Sequence, residues 1–186
     1  MASGRVILSP SKFNFVLERL THQLIENYGD FENTCIVGIQ EKGVTLSQHL
    51  LKILETKSGL RKKIEFGKLD ISFYRDDYRL RDEPIKVSPT DLEFSLEGKK
   101  VILIDDVLYS GRTIQAALSA LQDFGRPSKV ELLVMVDRRF NRQLPIHSDY
   151  TGIVVDALDE AYVRVVWDDA KSAHCIRIFS AENRKT

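Results

Sequence analysis

The sequence carries no surplus of either charge: 27 basic residues stand against 27 acidic ones. Nothing global therefore draws the chain to nucleic acid or a membrane surface, and any anion site has to be local. No apolar run approaches the roughly 18 residues that a membrane span needs. The opening MASGRVILSPSK has no apolar h-region behind basic residues, so a cytoplasmic address is expected. Cysteine is scarce. Cys35 and Cys175 both lie in apolar runs, where a thiol behaves as a small buried hydrophobe; they are read so, and not as a disulfide or a reactive thiol. Internal repeats and low-complexity segments are lacking as well. What remains is 186 residues, 43% hydrophobic and 29% charged, enough for one ordinary core, and a single domain over 1–186 is expected.

Ser9 and Pro10 read as N-cap and first helical residue. Phe13, Val16, Leu17, Leu20, Leu24 and Ile25 then recur at helical spacing until Gly29. CIVGI at 35–39 reads as a strand, and Val44 to Leu54 as a helix. IEFGKLDISFY at 64–74 reads as a second strand, interrupted at Gly67. From Arg75 to about 97 the chain is charged and punctuated by Pro84 and Pro89; a long aperiodic stretch of this kind predicts a lid or binding loop. KVILI at 100–104 and VELLVMV at 130–136 are apolar enough for the middle of a parallel sheet, with a helix over Thr113 to Phe124 between them. Alternating strands and helices predict an α/β fold with a mostly parallel sheet. TGIVV, YVRVVW and HCIRIF near the C-terminus read as edge strands or a small flanking sheet.

The chemistry concentrates after KVILI. Asp105 and Asp106 follow that strand directly, at the edge where open parallel sheets collect ligands. Adjacent carboxylates repel, which is unfavourable unless a partner repays it. Ribose hydroxyls donate well to carboxylates, and Mg²⁺ neutralises what charge remains. Tyr109, Ser110, Gly111, Arg112 and Thr113 then lead into a helix, whose first backbone N–H groups suit a dianionic phosphate. The competing reading, a solvated strand end followed by an ordinary cap, explains each half but not their conjunction.

VILIDDVLYSGRT resembles the phosphoribosyl-pyrophosphate (PRPP) motif of type I phosphoribosyltransferases, and its wording is most similar to the PyrR group of pyrimidine attenuation regulators that are also uracil phosphoribosyltransferases. CIVGIQEKG, LDISFYRDD, and GRPSKVELLVMVDR with LPIHSDYTG extend the likeness over roughly residues 5–152. The resemblance implies the type I phosphoribosyltransferase fold: a central, mostly parallel sheet flanked by helices, a flexible hood at about 75–97 and small C-terminal strands. It also implies transfer of a nucleobase, uracil favoured, to PRPP with Mg²⁺. Asp105 and Asp106 would hold the ribose hydroxyls and, largely through those hydroxyls and water, the metal. Leu108, Tyr109, Ser110, Gly111, Arg112 and Thr113 would hold the 5-phosphate, Lys42 and Gly43 the pyrophosphate, and Arg75 would reach it from a hood that begins at Tyr74, Arg75 and Asp76. Asp137 and Arg138 would lie beside the base. A homodimer or higher homo-oligomer is implied.

The chain departs from the group at Lys42, where arginine is usual, in the longer RRFNRQLPI segment, and in GIVVDAL; the segment 153–186 is divergent. Two alternatives follow: a purine-base phosphoribosyltransferase, or an RNA-binding attenuation regulator with little turnover. RNA is the less favoured partner. For it, His22 and a patch of Arg19, Arg138, Arg139 and Arg142 are the candidates. His147 and His174 lack the spacing of a zinc site and are read as structural, and Trp167 as core or interface.

Overall fold

A computed structural model describes residues 4–57, 63–76, 89–157, 161–171 and 173–180. Five parallel strands run in the order β3-β2-β4-β5-β6: β2 (Thr34–Ile39), β3 (Glu65–Leu69), β4 (Lys100–Leu108), β5 (Lys129–Arg138) and β6 (Tyr150–Val155). Between them come α1 (Pro10–Tyr28), α2 (Lys42–Lys57) and α3 (Arg112–Leu121), the last followed by a 3₁₀ turn at Gln122–Phe124. A separate antiparallel sheet in the order β1-β8-β7 joins β1 (Arg5–Leu8), β7 (Tyr162–Val166) and β8 (Cys175–Phe179).

Strand pleating explains why the central strands are apolar at nearly every position. In β4, Ile102 and Ile104 belong to one core with Leu17, Leu20 and Leu46 of α1 and α2, whereas Val101 and Leu103 belong to a second with Ile114 and Ala117 of α3. Both faces are covered, so alternation disappears. Ile102 has 0% exposure, and truncating such a residue to Ala costs about 2–5 kcal/mol. The cysteines are free and buried, and burial pushes Cys35 up to about 12, which keeps the thiol protonated and unreactive.

Several element ends differ from the sequence expectation. β4 runs on to Leu108 because β5 continues alongside it, Asp105 pairing with Val134 and Leu108 with Asp137; the two aspartates therefore belong to the strand and do not leave it. β3 stops at Leu69, since the Asp70 carboxylate accepts the Ser72 N–H at 2.6 Å and turns the chain. Ser9 precedes α1 in an extended conformation without a side-chain cap, and Gly29 closes the helix at φ 56° by donating its N–H to Ile25 O. Much of the expected hood, residues 77–88, lies outside the described residues. Its later part is anchored: Asp91 bridges Lys68 through paired backbone hydrogen bonds of 2.8 Å, and Leu96 is fully buried. Of the three C-terminal runs, TGIVV is the outer strand of the main sheet, while the other two pair with each other and HCIRIF pairs also with β1.

Candidate functional site

The carboxyl ends of β2, β4 and β5 gather nearly every candidate residue. α2 starts after β2 with Lys42 and Gly43. A Cβ on Gly43 would lie 2.2 Å from the Ile104 carbonyl oxygen, so only glycine lets the first turn of α2 press against β4 beside Asp105. That approach brings Lys42 Nζ to 3.3 Å from Asp106 Oδ2.

Asp105 and Asp106 are 8% and 7% exposed. Asp105 Oδ1 accepts the Asp106 N–H at 2.8 Å. Burial first, then the neighbouring carboxylate, pushes Asp105 up to about 7, against the pull of Lys42 and Arg75. Burial raises Asp106 also, with Lys42 opposing it. Among the described residues the buried Asp106 Oδ2 makes no hydrogen bond beyond the approach of that ammonium. Two hard oxygen donors that are short of partners and reluctant to ionise fit a hydroxylated ligand that donates to them, or a hydrated Mg²⁺ that neutralises them.

Gly111 turns the chain from β4 into α3 with φ 93°, a left-handed conformation that glycine adopts without steric cost. Its carbonyl accepts the Gln115 N–H at 3.0 Å, so the peptides of Ser110 to Thr113 form the start of the helix, where N–H groups gather positive potential. The Ser110 hydroxyl stands 3.4 Å from the Arg112 N–H.

Asp137 and Arg138, expected beside the base, meet this turn directly. Arg138 is 5% exposed, and its guanidinium lies 4.1 Å above the Tyr109 ring, a desolvated cation–π contact. Asp137 holds Arg142, whose other nitrogen donates to the Tyr109 carbonyl. Gln143 and Leu144 donate their N–H groups to Ser110 O at 3.0 and 3.2 Å, and Arg112 Nε donates to Gln143 Oε1 at 2.6 Å. The segment after β5 is thus a clasp over the Tyr109–Thr113 turn. From the sequence Arg142 is read as part of a candidate basic patch for RNA; the density of arginine in RRFNRQ is the available signal, and its partners are not. At the hood's base, Arg112 pairs with Asp76 and the Tyr74 hydroxyl with Asp123, while the charge of Arg75 reaches Asp105.

Concavities among the described residues also lie elsewhere. One, of about 500 Å³, is lined by Asp30, Asn33, Lys63 and Lys99 at the amino edge of the sheet, where open parallel sheets do not collect ligands. The converging carboxylates, helix start and cations carry more chemical information than that volume. His22 is exposed on α1. His174, read as structural from the sequence, lies against His49 and Trp167.

A model of the phosphoribosyl transferase domain matches residues 7–169, well into the segment that looked divergent. The chain is 39% identical over 169 residues to the Bifunctional protein PyrR of Caldicellulosiruptor bescii, covering 91% of both. It is 40% identical to that of Geobacter sp. (strain M21), over all of this chain and 97% of the relative. Among solved structures, the hypoxanthine phosphoribosyltransferase of Trypanosoma cruzi superposes with a TM-score of 0.69 at 14% identity, over 96% of this chain and 97% of its own. That of Staphylococcus aureus gives 0.64 at 22%, over 86% and 80%. At such identities these two speak for the fold alone.

Proposed function

The chain belongs to the phosphoribosyl transferase domain family, and from that premise we propose that it joins uracil to PRPP, releasing pyrophosphate and giving UMP. The observation that carries this reading is the buried Asp105–Asp106 pair followed within a few residues by the Gly111 helix start, a spacing that suits the span from ribose hydroxyls to the 5-phosphate. The base is taken from the resemblance to the PyrR group, and relatives that carry that name are similar over nearly the whole chain.

In the reaction a uracil nitrogen forms a bond to C1 of the ribose as the bond from C1 to the pyrophosphate oxygen breaks, and the nitrogen's proton passes to solvent. The ring develops oxocarbenium character, as in other glycosyl transfers. Asp105 and Asp106 accept hydrogen bonds from the ribose hydroxyls, while the N–H groups and hydroxyls of Leu108 to Thr113 hold the phosphate. Once those hydroxyls occupy the carboxylates, Lys42 is released from Asp106 toward the pyrophosphate, where Gly43 permits close backbone approach and Arg75 adds charge. Asp105 and Asp106 would hold Mg²⁺ largely through the ribose hydroxyls and water, and the ion would supply positive charge against that of the departing pyrophosphate. Asp137 and Arg138 shape the base side through the clasp. Their work is positioning and charge stabilisation.

The basic patch considered for RNA is occupied within the molecule. Arg19 donates to the Thr151 and Gly152 carbonyls at 3.1 and 2.6 Å, Arg139 makes a forked pair with Asp156, Arg142 holds Asp137, and Arg138 is buried on Tyr109. An enzyme acting in the cytoplasm, as a homo-oligomer, is favoured over an attenuator. The deciding experiment follows absorbance with PRPP, Mg²⁺ and uracil, hypoxanthine, guanine or adenine in turn. Turnover with uracil at least tenfold above the purines is expected; a purine preference would replace the base assignment, and no turnover with any base would overturn the reading.

A further inference from the structure

Helix α2 carries Lys42 at its start and, two turns on, a histidine that faces the turn between β7 and β8. The His49 ring stacks on Trp167 at 4.8 Å and 10°, and meets the His174 ring at 4.6 Å and 68°. Phe13 of α1 packs edge-on against Trp167 at 5.4 Å and tilted against His174 at 5.7 Å, which fixes the rings from behind. His49 Nε2 lies 3.1 Å from Asp169 Oδ1, and His174 Nε2 lies 3.8 Å from the same oxygen. One ligand atom from each of the three residues lies within 4.8 Å of the other two.

These separations can be weighed against a coordination shell. Zinc sits about 2.0–2.1 Å from imidazole nitrogen and about 2.0–2.2 Å from carboxylate oxygen, so adjacent ligands of a tetrahedral ion are roughly 3.3 Å apart. The 3.1 and 3.8 Å edges bracket that value, and the imidazole–imidazole edge needs to close by no more than roughly 1.5 Å. Two imidazoles with one carboxylate suit late first-row divalent ions; Mg²⁺ and Ca²⁺ prefer more oxygen. The His174 side chain is 7% exposed and that of Asp169 72%, so the cluster has a buried wall and an open mouth.

We propose that His49, Asp169 and His174 form a binding site for a late first-row divalent cation, with zinc as the reference ion and water completing the shell. The site lies outside the transferase machinery and ties α2 to the β7–β8 turn. It makes one demand on that turn. In this structure the Asp168 N–H donates to His174 Nδ1 at 3.1 Å, so the ring hydrogen sits on Nε2 and points toward Asp169. Coordination through Nε2 moves that hydrogen to Nδ1 and makes the Asp168 amide let go. The adjoining Asp169, Ala170 and Lys171 are exposed and leave the turn room to shift.

Trp167 is the chain's one tryptophan, and its stacking on His49 makes it a built-in reporter. Chelator-stripped full-length protein is titrated with ZnCl₂, and separately with NiCl₂, in excess Mg²⁺, following Trp167 fluorescence, the melting temperature and the Asp168 amide resonance. One saturable equivalent is expected to move all three, with affinity falling at least tenfold in His49→Gln and again in Asp169→Asn. His49 is partly exposed and Asp169 mostly so, and both variants are expected to fold. Asp105→Asn should leave zinc affinity unchanged. Absence of a saturable response, a response that survives in both His49→Gln and Asp169→Asn, or one abolished by Asp105→Asn would overturn the proposal, the last by placing the ion at the strand-end carboxylates. Because no substrate is present, the outcome is independent of the base assignment.

Discussion

The dipeptide Asp-Asp occurs three times, at Asp76–Asp77, Asp105–Asp106 and Asp168–Asp169, and the last two pairs live under opposite conditions. Of these two, the first is closed in by β2, β5 and α2, with both residues under a tenth exposed, and burial raises both carboxyls from their ordinary range. In the second, the Asp168 carboxylate accepts the Lys171 N–H at 3.1 Å within its own turn, and Asp169 points largely into water. The lesson is that two adjacent carboxylates mean little by themselves. The strand before them and the helix after them decide whether they are an unstable pair awaiting a ligand or an ordinary turn.

The sharpest way to break the contrast is to neutralise the buried pair. Asp105→Asn and Asp106→Asn keep the shape but remove the charge offered to ribose hydroxyls. A charge-assisted hydrogen bond is worth about 1.5–3 kcal/mol, so kcat/KM for PRPP should fall roughly tenfold to a hundredfold in each, while folding is retained. Steady-state kinetics with PRPP varied, alongside thermal unfolding, reads both quantities. Wild-type kinetics in a destabilised variant would show that these carboxylates hold the turn and not the substrate.

The second effect is on stability and its sign is fixed by the direction of the shift. Asp105 is neutral in the folded and unfolded chain below about pH 4. Between there and about 7 the unfolded chain ionises while the folded one keeps its proton. Stability is therefore fully present at the acid end, falls as the pH rises through this window, and stays low above it. The span corresponds to a few kcal/mol at most, and Asp106 and Lys42 share it. Urea unfolding from pH 4.5 to 8 without ligand should show this decline in the wild type and a flatter profile in Asp105→Asn, which should be the more stable protein at pH 8. A variant that melts lower at pH 8 would place Asp105 among the supports of the fold.

The strand, turn and helix around the buried pair are legible because they are contiguous: four apolar residues, two carboxylates, a glycine and an amphipathic run lie in one stretch. What the sequence could not show was assembled across distance. β1 has four residues, two of them exposed, and is a strand only because β8 pairs with it from the far end of the chain. Arg142 appears as one charge among several in RRFNRQ, and only folding gives it Asp137 and the Tyr109 carbonyl. His49 falls on a helix and His174 in a turn, without a motif to join them; their meeting depends on folding that sets the β7–β8 turn against α2. The length of β4 was misjudged for a related reason, since KVILI ends its apolar run at Ile104 while the hydrogen-bonded ladder continues with β5.

The smallest expected effect lies at the exposed pair and sharpens the comparison from the other side. In metal-free protein, Asp169→Asn removes the carboxylate that faces His49 at 3.1 Å. Burial first, then the neighbouring His174, holds His49 below the ordinary imidazole range, so at neutral pH the contact is a neutral N–H donating to a carboxylate. Asparagine keeps an oxygen in the same place. With the Asp169 side chain 72% exposed, solvent screens most of what charge contributes, and exposed pairs of this kind measure about 0.2–1 kcal/mol. The substitution should therefore lower the melting temperature by about 2 °C or less at pH 7.5, in chelated buffer where only the proton-held network is tested. A loss of several degrees would mean that Asp169 braces the β7–β8 turn against α2 even without an ion, and that exposure had hidden a carboxylate as consequential for the fold as the buried pair is for PRPP.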